Sequence, residues 1–158
     1  MEHRLTHVDD VGAAAMVDVS QKPKVRRTAE ARGSIRLGTD TLALIRENQI
    51  QKGDVLTVAK IAGIMGAKET ARLIPLCHQI EIEHIDLQLT LEETGVSISA
   101  VTTCTDKTGI EMEALTAVSV AALTVYDMCK AVDKEMEIGE IRLVKKTKEV
   151  LHPREVAG

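Results

Sequence analysis

The chain has 158 residues and a formal net charge of -4, with 44% hydrophobic residues, no Phe or Trp, and Tyr126 as its single aromatic residue. This length favours one domain spanning 1–158, and the hydrophobic content excludes an intrinsically disordered chain. The negative charge and the scarcity of aromatic rings argue against a nucleic-acid-binding protein, whereas a locally basic site for a small anion stays open.

Hydrophobic periodicity and turn signals divide the chain into seven predicted elements. In chain order these are a strand over 25–37, helices over 41–48 and 55–73, strands over 85–91 and 96–100, a helix over 110–132 and a strand over 140–145. Gly38–Asp40 is the predicted turn and cap before the first helix. This order predicts an α+β protein with a ferredoxin-like split βαβ arrangement, in which helices pack on one face of an antiparallel sheet. Residues 1–24 show few periodic signals and are expected to be irregular. Ile80 and Ile82 are in the opposite phase to Ile85, which predicts a β-bulge near His84.

Cysteine usage and hydropathy indicate where the protein resides. Cys77, Cys104 and Cys129 are odd in number and far apart in sequence, a pattern typical of a reducing compartment rather than of a disulfide framework. Charged residues interrupt the N-terminal segment, so no signal peptide is predicted. The apolar run 114–126 is too short to cross a bilayer, and we expect a cytoplasmic protein without membrane or nucleic-acid partners.

Two segments place chemically useful residues next to a helix end. Lys52-Gly53-Asp54 precedes the second helix, where Asp54 is a good N-cap. An ordinary helix start explains this segment, and so does a lysine that attracts phosphate to the helix N-terminus. Cys77 and His78 follow the proline that ends the same helix. They make a weak metal signal, because zinc sites normally need three or four protein ligands, and we interpret them instead as substrate contacts.

The long helix predicted over 110–132 carries candidate residues at both of its ends. At the start, Lys107–Glu113 combines a glycine with two glutamates, a pattern that suits an anion site or merely the helix dipole. Near the end, Asp127 and Lys130 lie three residues apart on one helix face. Such a pair is usually a surface ion pair, but it follows thirteen uncharged residues. If it faced inward, it would present an acid and a base to one bond.

Taken together, these segments resemble the cyclic pyranopterin monophosphate synthases. The matching segments are Leu5–His7, Met16–Ser20, Lys52–Val55, Ile61–Met65, Leu73–His78, Thr108–Leu115 and Ala121–Lys130. The resemblance covers about residues 5 to 146. It implies a lyase of molybdenum cofactor biosynthesis that converts (8S)-3′,8-cyclo-7,8-dihydroguanosine 5′-triphosphate to cyclic pyranopterin monophosphate and diphosphate. This reaction needs no electron transfer, and we expect no metal and no cofactor.

The resemblance also implies roles for individual residues. It assigns acid–base catalysis to Asp127 and Lys130, without deciding which is acid and which is base. It assigns substrate binding to Leu76, Cys77, His78, Met112, Glu113, Lys52, Lys146 and Arg27. The three basic residues of that set would hold triphosphate oxygens.

Two departures from the family pattern are visible. The family usually has a Gly-Gly-Lys-Ser-Gly type segment after its last active-site lysine, whereas residues 147–158 form a divergent tail without glycine until the final residue, and Lys148 is the nearest candidate replacement. Gln79 stands where many members have proline.

Two other interpretations remain open from the residues alone: a ferredoxin-like sensing or oligomerisation module without catalysis, and a structural metal protein that uses Cys77, His78 and Cys129.

Helix geometry predicts that more than one subunit forms the site. Glu113 and Asp127 are fourteen residues apart on the same helix, about 21 Å at 1.5 Å per residue. A nucleotide-sized ligand could scarcely reach both ends, so we expect an obligate oligomer in which one subunit supplies Asp127 and Lys130 and a neighbour supplies Met112 and Glu113. The family resemblance implies a hexamer built as a trimer of dimers.

Overall fold

The computed structural model describes residues 13–150, whose helices and strands follow the predicted order. They are β1 (Val25–Arg36), α1 (Thr39–Arg46), α2 (Val55–Lys68), α3 (Thr70–Leu73), β2 (His84–Leu91), β3 (Gly95–Asp106), α4 (Glu111–Cys129) and β4 (Glu137–Glu149). The predicted α+β class is confirmed. The family-like segment Leu5–His7 lies outside the described residues.

The four strands form one antiparallel sheet in the order β2-β3-β1-β4. β2 and β3 are a hairpin, and β1 lies between β3 and β4, which is the ferredoxin-like arrangement predicted from the element order. The bulge predicted near His84 is wrong, because the pairing of β2 with β3 is regular from His84 onward. The irregularities lie instead between β1 and β4, at Glu30/Ala31 and Arg32/Ser34.

The helices cover one face of the sheet. Alternate residues of β1 are buried beneath them, and α4 lies over β1, β3 and β4 while α2 lies over β2. Gly63 lets α2 approach closely, because a Cβ atom there would meet the Leu87 side chain and lie 2.7 Å from the carbonyl oxygen of Ala117. The core is built almost entirely from aliphatic residues, as the composition requires.

α4 is the central helix of the core. It is 19 residues long and apolar enough to cross a membrane on length and composition alone, but half of its most apolar window is buried inside the fold. Small buried residues such as Ala114, Ala117 and Ala121 allow it to lie close to its neighbours. These contacts are those of the core helix of a globular domain.

Several element bounds differ from the prediction. β3 extends to Asp106, beyond the predicted 96–100, and α4 ends at Cys129 instead of 132. The helix expected over 55–73 is divided at Glu69, whose amide hydrogen is shared between the carbonyl oxygens of Met65 and Gly66 at 3.2 and 3.1 Å. The last strand is longer than 140–145, because it pairs with β1 from Glu137 to Glu149. The segment expected to be a divergent tail therefore begins inside β4.

Candidate active site

The C-terminal end of α4 carries a cluster of three charged residues, Lys52, Asp127 and Lys130. Lys130 directly follows the last residue of α4, and its Nζ lies 2.6 Å from Asp127 Oδ1. Lys52 Nζ donates to Asp127 Oδ2 at 2.7 Å and to the Asp127 carbonyl oxygen at 2.9 Å. All three side chains are about half exposed, so within one chain the pair at 127 and 130 lies at the surface and is not turned inward.

Local structure places Lys52 beside this helix end. Gly53 has a φ of 101°, a left-handed conformation that glycine adopts without strain and that turns the chain into α2. Asp54 then caps α2, as predicted, because its carboxylate accepts from the Thr57 amide at 3.0 Å and from the Thr57 hydroxyl at 2.6 Å. The start of α2 is thereby fixed against the end of α4.

Ion pairing shifts the proton affinities in this cluster. Hydrogen bonds from Lys130, and then from Lys52, lower the pKa of Asp127 to about 2. The same hydrogen bond raises the pKa of Lys130 above its ordinary value. Near neutral pH the cluster therefore holds one carboxylate between two lysines, with a net positive charge suited to an anionic ligand.

The N-terminal end of α4 borders a cleft of about 260 Å³. Its lining comprises Leu76, Cys77, His78, Ile80, Thr108, Gly109, Glu111, Met112 and Glu113. The cleft thus unites the five substrate-binding residues predicted in the segments 76–78 and 112–113. His78 Nε2 lies 2.8 Å from the Val17 carbonyl oxygen. Because a carbonyl oxygen only accepts, Nε2 carries the hydrogen, and Nδ1 of a neutral ring is left as an acceptor.

Glu113 is the most unusual group in this cleft. The residue is 3% exposed, and within residues 13–150 its Oε2 is the single buried side-chain nitrogen or oxygen atom without a hydrogen-bond partner. Burial, with a smaller effect from the charge of Glu111, raises the pKa of Glu113 to about 7. This carboxyl can therefore accept or donate a proton near neutral pH. Burial also raises the pKa of the neighbouring Cys77 thiol, which favours its neutral form.

A second cleft, of about 310 Å³, adjoins the first. It is lined by Arg27, Thr28, Gly109, Ile110, Glu111, Lys146, Thr147 and Lys148, and it shares Gly109 and Glu111 with the first cleft. Lys146 Nζ contacts Glu111 Oε1 at 3.2 Å. The Arg27 guanidinium donates to the carbonyl oxygens of Asp106 and Lys107 at 3.0 and 2.9 Å, which fixes its position with uncharged partners.

The ten predicted site residues therefore fall into two groups. Seven lie in the adjoining clefts at the start of α4, and Lys52, Asp127 and Lys130 lie about 21 Å away at its other end. Lys148 also lines a cleft, although the sequence left its role open. Lys148 lies two residues after Lys146, and alternate residues of a strand share a face. This spacing could have placed Lys148 in the same cleft from the sequence.

The open face of the sheet has a concavity of about 330 Å³ that contains none of the predicted residues. Its two arginines already face carboxylates, with Arg32 2.8 Å from Glu30 and Arg142 3.7 Å from Glu140. Its size alone gives no reason to assign chemistry to it, and we assign none.

Comparison with known proteins identifies the family. The profile described as the MoaC family matches residues 16–149. The chain belongs to the MoaC family. It is 56% identical over 142 residues to the cyclic pyranopterin monophosphate synthase of Peptoclostridium acidaminophilum, covering 90% of each chain. It is 57% identical over 145 residues to the protein of that name from Heliobacterium modesticaldum, covering 90% of this chain and 91% of the other.

A longer relative contains the same unit. The chain is 56% identical over 146 residues to molybdenum cofactor biosynthesis protein 1 of Drosophila melanogaster, covering 91% of this chain and 26% of that protein. The family match extends to Glu149, so it includes the part of β4 that carries Lys146 and Lys148.

The structural-metal alternative can be tested against the described residues. Between Ala13 and Val150, no three His, Cys, Asp or Glu side chains group closely enough to hold a metal ion. Cys77, His78 and Cys129 thus do not form the metal site left open by the sequence.

Proposed function

We propose that this chain converts (8S)-3′,8-cyclo-7,8-dihydroguanosine 5′-triphosphate to cyclic pyranopterin monophosphate and diphosphate. Its similarity over about 90% of the chain to two proteins named cyclic pyranopterin monophosphate synthase supports this reaction. The observation that carries the proposal is the chemistry at the two ends of α4. One end presents two lysines around an ionised carboxylate, and the other presents a buried carboxyl that titrates near neutrality beside further basic residues.

The basic residues suit a polyanionic substrate. Arg27 and Lys146 line one cleft, and Lys52 and Lys130 surround Asp127 at the far end of the helix. Cations placed at triphosphate oxygens bind the substrate and stabilise the charge that develops as diphosphate leaves. The overall change rearranges the purine and ribose atoms and closes a cyclic phosphate, and it transfers no electrons to or from an external partner.

The proton-transfer groups follow from the pKa values. With a pKa of about 2, Asp127 is a weak base near pH 7, and its two short contacts suit it to orienting Lys52 and Lys130. The raised pKa of Lys130 keeps its ammonium group charged near pH 7, which suits it to stabilising a developing oxyanion. Glu113, whose pKa is about 7, is matched to accept or donate a proton at the operating pH.

The active site is proposed to lie between subunits. In one chain the two groups of residues are separated by most of the length of α4, so a single nucleotide cannot contact both. A second copy that brings its own α4 start to the Asp127 end would complete the site. We propose a homo-oligomer on this basis, with a trimer of dimers as the assembly implied by the family resemblance, acting in the cytoplasm without a metal or other cofactor.

Mass analysis of products tests this function directly. Purified protein incubated with the cyclic triphosphate should yield cyclic pyranopterin monophosphate and an equal amount of diphosphate. The Asp127→Asn variant, prepared in parallel, should yield neither. Binding of the triphosphate without product formation would instead favour a sensing module without catalysis, the alternative left open by the fold.

A further inference from the structure

Lys148 gives the second cleft a third basic residue. This cleft holds Arg27, Lys146 and Lys148 against a single carboxylate, that of Glu111. Arg27 and Lys146 match residues of the family pattern, in which a Gly-Gly-Lys-Ser-Gly type segment usually follows the last active-site lysine. Here the chain continues from Lys146 as Thr-Lys-Glu-Val. Lys148 is therefore a cation that this chain places in the cleft outside the family pattern.

The register of β4 against β1 brings the three cations to the helix side of the sheet. Lys146 pairs with Ala29, which is buried beneath the helices, and its Nζ reaches Glu111 at the start of α4. Alternate residues of a strand share a face, and the pairing has no shift in this part of the ladder. Lys148 therefore lies on the same side, directly opposite Arg27. At about 3.3 Å per residue it is about 7 Å from Lys146 along the strand.

Arg27 and Lys148 are like charges that no carboxylate compensates. Residues directly opposite on antiparallel strands have Cβ atoms about 4.5–5.5 Å apart, and like charges at such positions destabilise a sheet. The Arg27 guanidinium donates to two backbone carbonyl oxygens, which carry no net charge. Lys148 makes no ion pair within residues 13–150. This arrangement costs the fold stability by itself, whereas a polyanion in the cleft turns the repulsion into attraction.

The two adjoining clefts differ in the part of a nucleotide that they suit. The first holds the buried carboxyl of Glu113 and apolar side chains such as Met112, which suit a ring system. The second holds the three cations, and Lys148 lines this cleft alone. Because Gly109 and Glu111 line both clefts, a ring in the first leaves its phosphate chain room in the second.

We propose that Lys148 binds the terminal phosphate of the cyclic triphosphate, as a third cation beside Arg27 and Lys146. The proposal rests on the proposed function, because it names a further contact of the same substrate. Since diphosphate leaves, the bond that breaks joins the first phosphate to the second. A cation at the terminal phosphate lies away from this bond and stabilises the bound substrate and the transition state alike. Lys148 therefore lowers KM and has little effect on kcat.

Calorimetric binding of inorganic triphosphate tests this contact without using catalysis. Lys148→Ala should weaken the affinity of the intact protein about 5- to 20-fold at low salt, and by less at high salt. Lys148→Arg keeps the charge and should keep most of the affinity. Lys145→Ala is the matched control, because it removes the same charge from the other face of the same strand and lines neither cleft. No loss in Lys148→Ala, or an equal loss in Lys145→Ala, overturns the proposal.

Thermal melting separates a binding role of Lys148 from a structural one. Without ligand, Lys148→Ala should melt no lower than wild type, because the change relieves the repulsion with Arg27. With inorganic triphosphate the melting temperature of the variant should rise by less than that of wild type, since it binds the anion more weakly. A lower melting temperature without ligand, together with an unchanged rise on adding it, would show that Lys148 serves the fold instead.

Steady-state kinetics with the cyclic triphosphate separate failure of this proposal from failure of the proposed function. Lys148→Ala should raise KM by a factor similar to its loss of affinity and keep kcat within about twofold of wild type. Product formation with an unchanged KM overturns the role of Lys148 alone, and the proposed reaction stands. If Lys148→Ala weakens the binding of inorganic triphosphate but the wild type forms no product, the phosphate contact stands and the proposed reaction falls.

Discussion

The ammonium group of Lys52 donates hydrogen bonds to Asp127 Oδ2 at 2.7 Å and to the Asp127 backbone carbonyl oxygen at 2.9 Å. The start of α2 and the end of α4 are thereby joined by one side chain. Because Lys130 holds the other carboxylate oxygen at 2.6 Å, Asp127 is oriented on both sides. A group held in this way positions cations accurately and accepts protons poorly.

Asp127→Asn and Lys130→Ala should each lower kcat/KM by about 100-fold or more, the usual scale for loss of a positioned acid–base group. Both residues are about half exposed, so the melting temperature should change little. Glu137→Gln removes one charge from a comparably exposed pair, with Arg36 at 2.8 Å, and should retain activity. Steady-state kinetics and thermal melting on the three variants check this, and wild-type turnover by either of the first two would refute the assignment.

Glu113→Gln should lower activity and also change how stability depends on pH. The pKa of Glu113 is raised from 4.5 to about 7, so the folded state retains a proton that the unfolded chain releases over this range. The wild type accordingly loses stability as pH rises from about 4.5 to about 7, by up to about 3 kcal/mol. Because glutamine has no ionisable side chain, the stability of Glu113→Gln should not fall in this way.

Denaturant unfolding at pH 5 and pH 8 measures this effect. The free energy of unfolding of Glu113→Gln minus that of wild type should be larger at pH 8 than at pH 5. Glu111→Gln is the matched control, since Glu111 is only partly buried and contacts Lys146. An identical pH dependence in wild type and Glu113→Gln would show that Glu113 titrates normally.

Gly63→Ala should destabilise the fold by about 1–3 kcal/mol, the usual cost of overpacking a core. The added methyl group would meet Leu87 and the Ala117 carbonyl oxygen, where α2 approaches the sheet and α4. Gly139→Ala is the matched control, because a Cβ at Gly139 has no atom within 4 Å. Urea unfolding of both variants tests the prediction, and equal stabilities would contradict the close approach.

The element order and the ferredoxin-like sheet could be predicted because the strands β1 to β3 and the helices carry clear periodicity. The division of the second helix at Glu69 could not, because the apolar spacing continues unchanged through that residue. The full length of β4 could not be predicted either. Glu137–Glu149 is largely exposed, so apolar and polar residues do not alternate along the whole strand. Backbone pairing with β1 determines its extent, and this depends on the partner strand more than on the side chains of β4.

The candidate site was predictable to different degrees at its two ends. The spacing of Asp127 and Lys130 on one helix face predicted their contact, whereas the approach of Lys52 depends on how α2 packs against α4. Burial of Glu113 was not predictable, since an acidic residue in a first helical turn is usually solvated and suits the helix dipole. In the folded chain this carboxyl is buried beside the cleft that it lines together with Leu76, Cys77 and His78.

Subunit mixing tests the shared active site most directly. Glu113→Ala and Asp127→Asn, each inactive alone, are mixed under conditions that exchange subunits, and exchange is verified by mass spectrometry of differently labelled chains. In a mixed dimer one site has both halves intact, so random exchange should restore about one quarter of wild-type activity. Asp127→Asn mixed with Lys130→Ala, two changes in the same half, should restore none. No recovery in the first mixture despite proven exchange, or full activity in a monomer, would contradict the account.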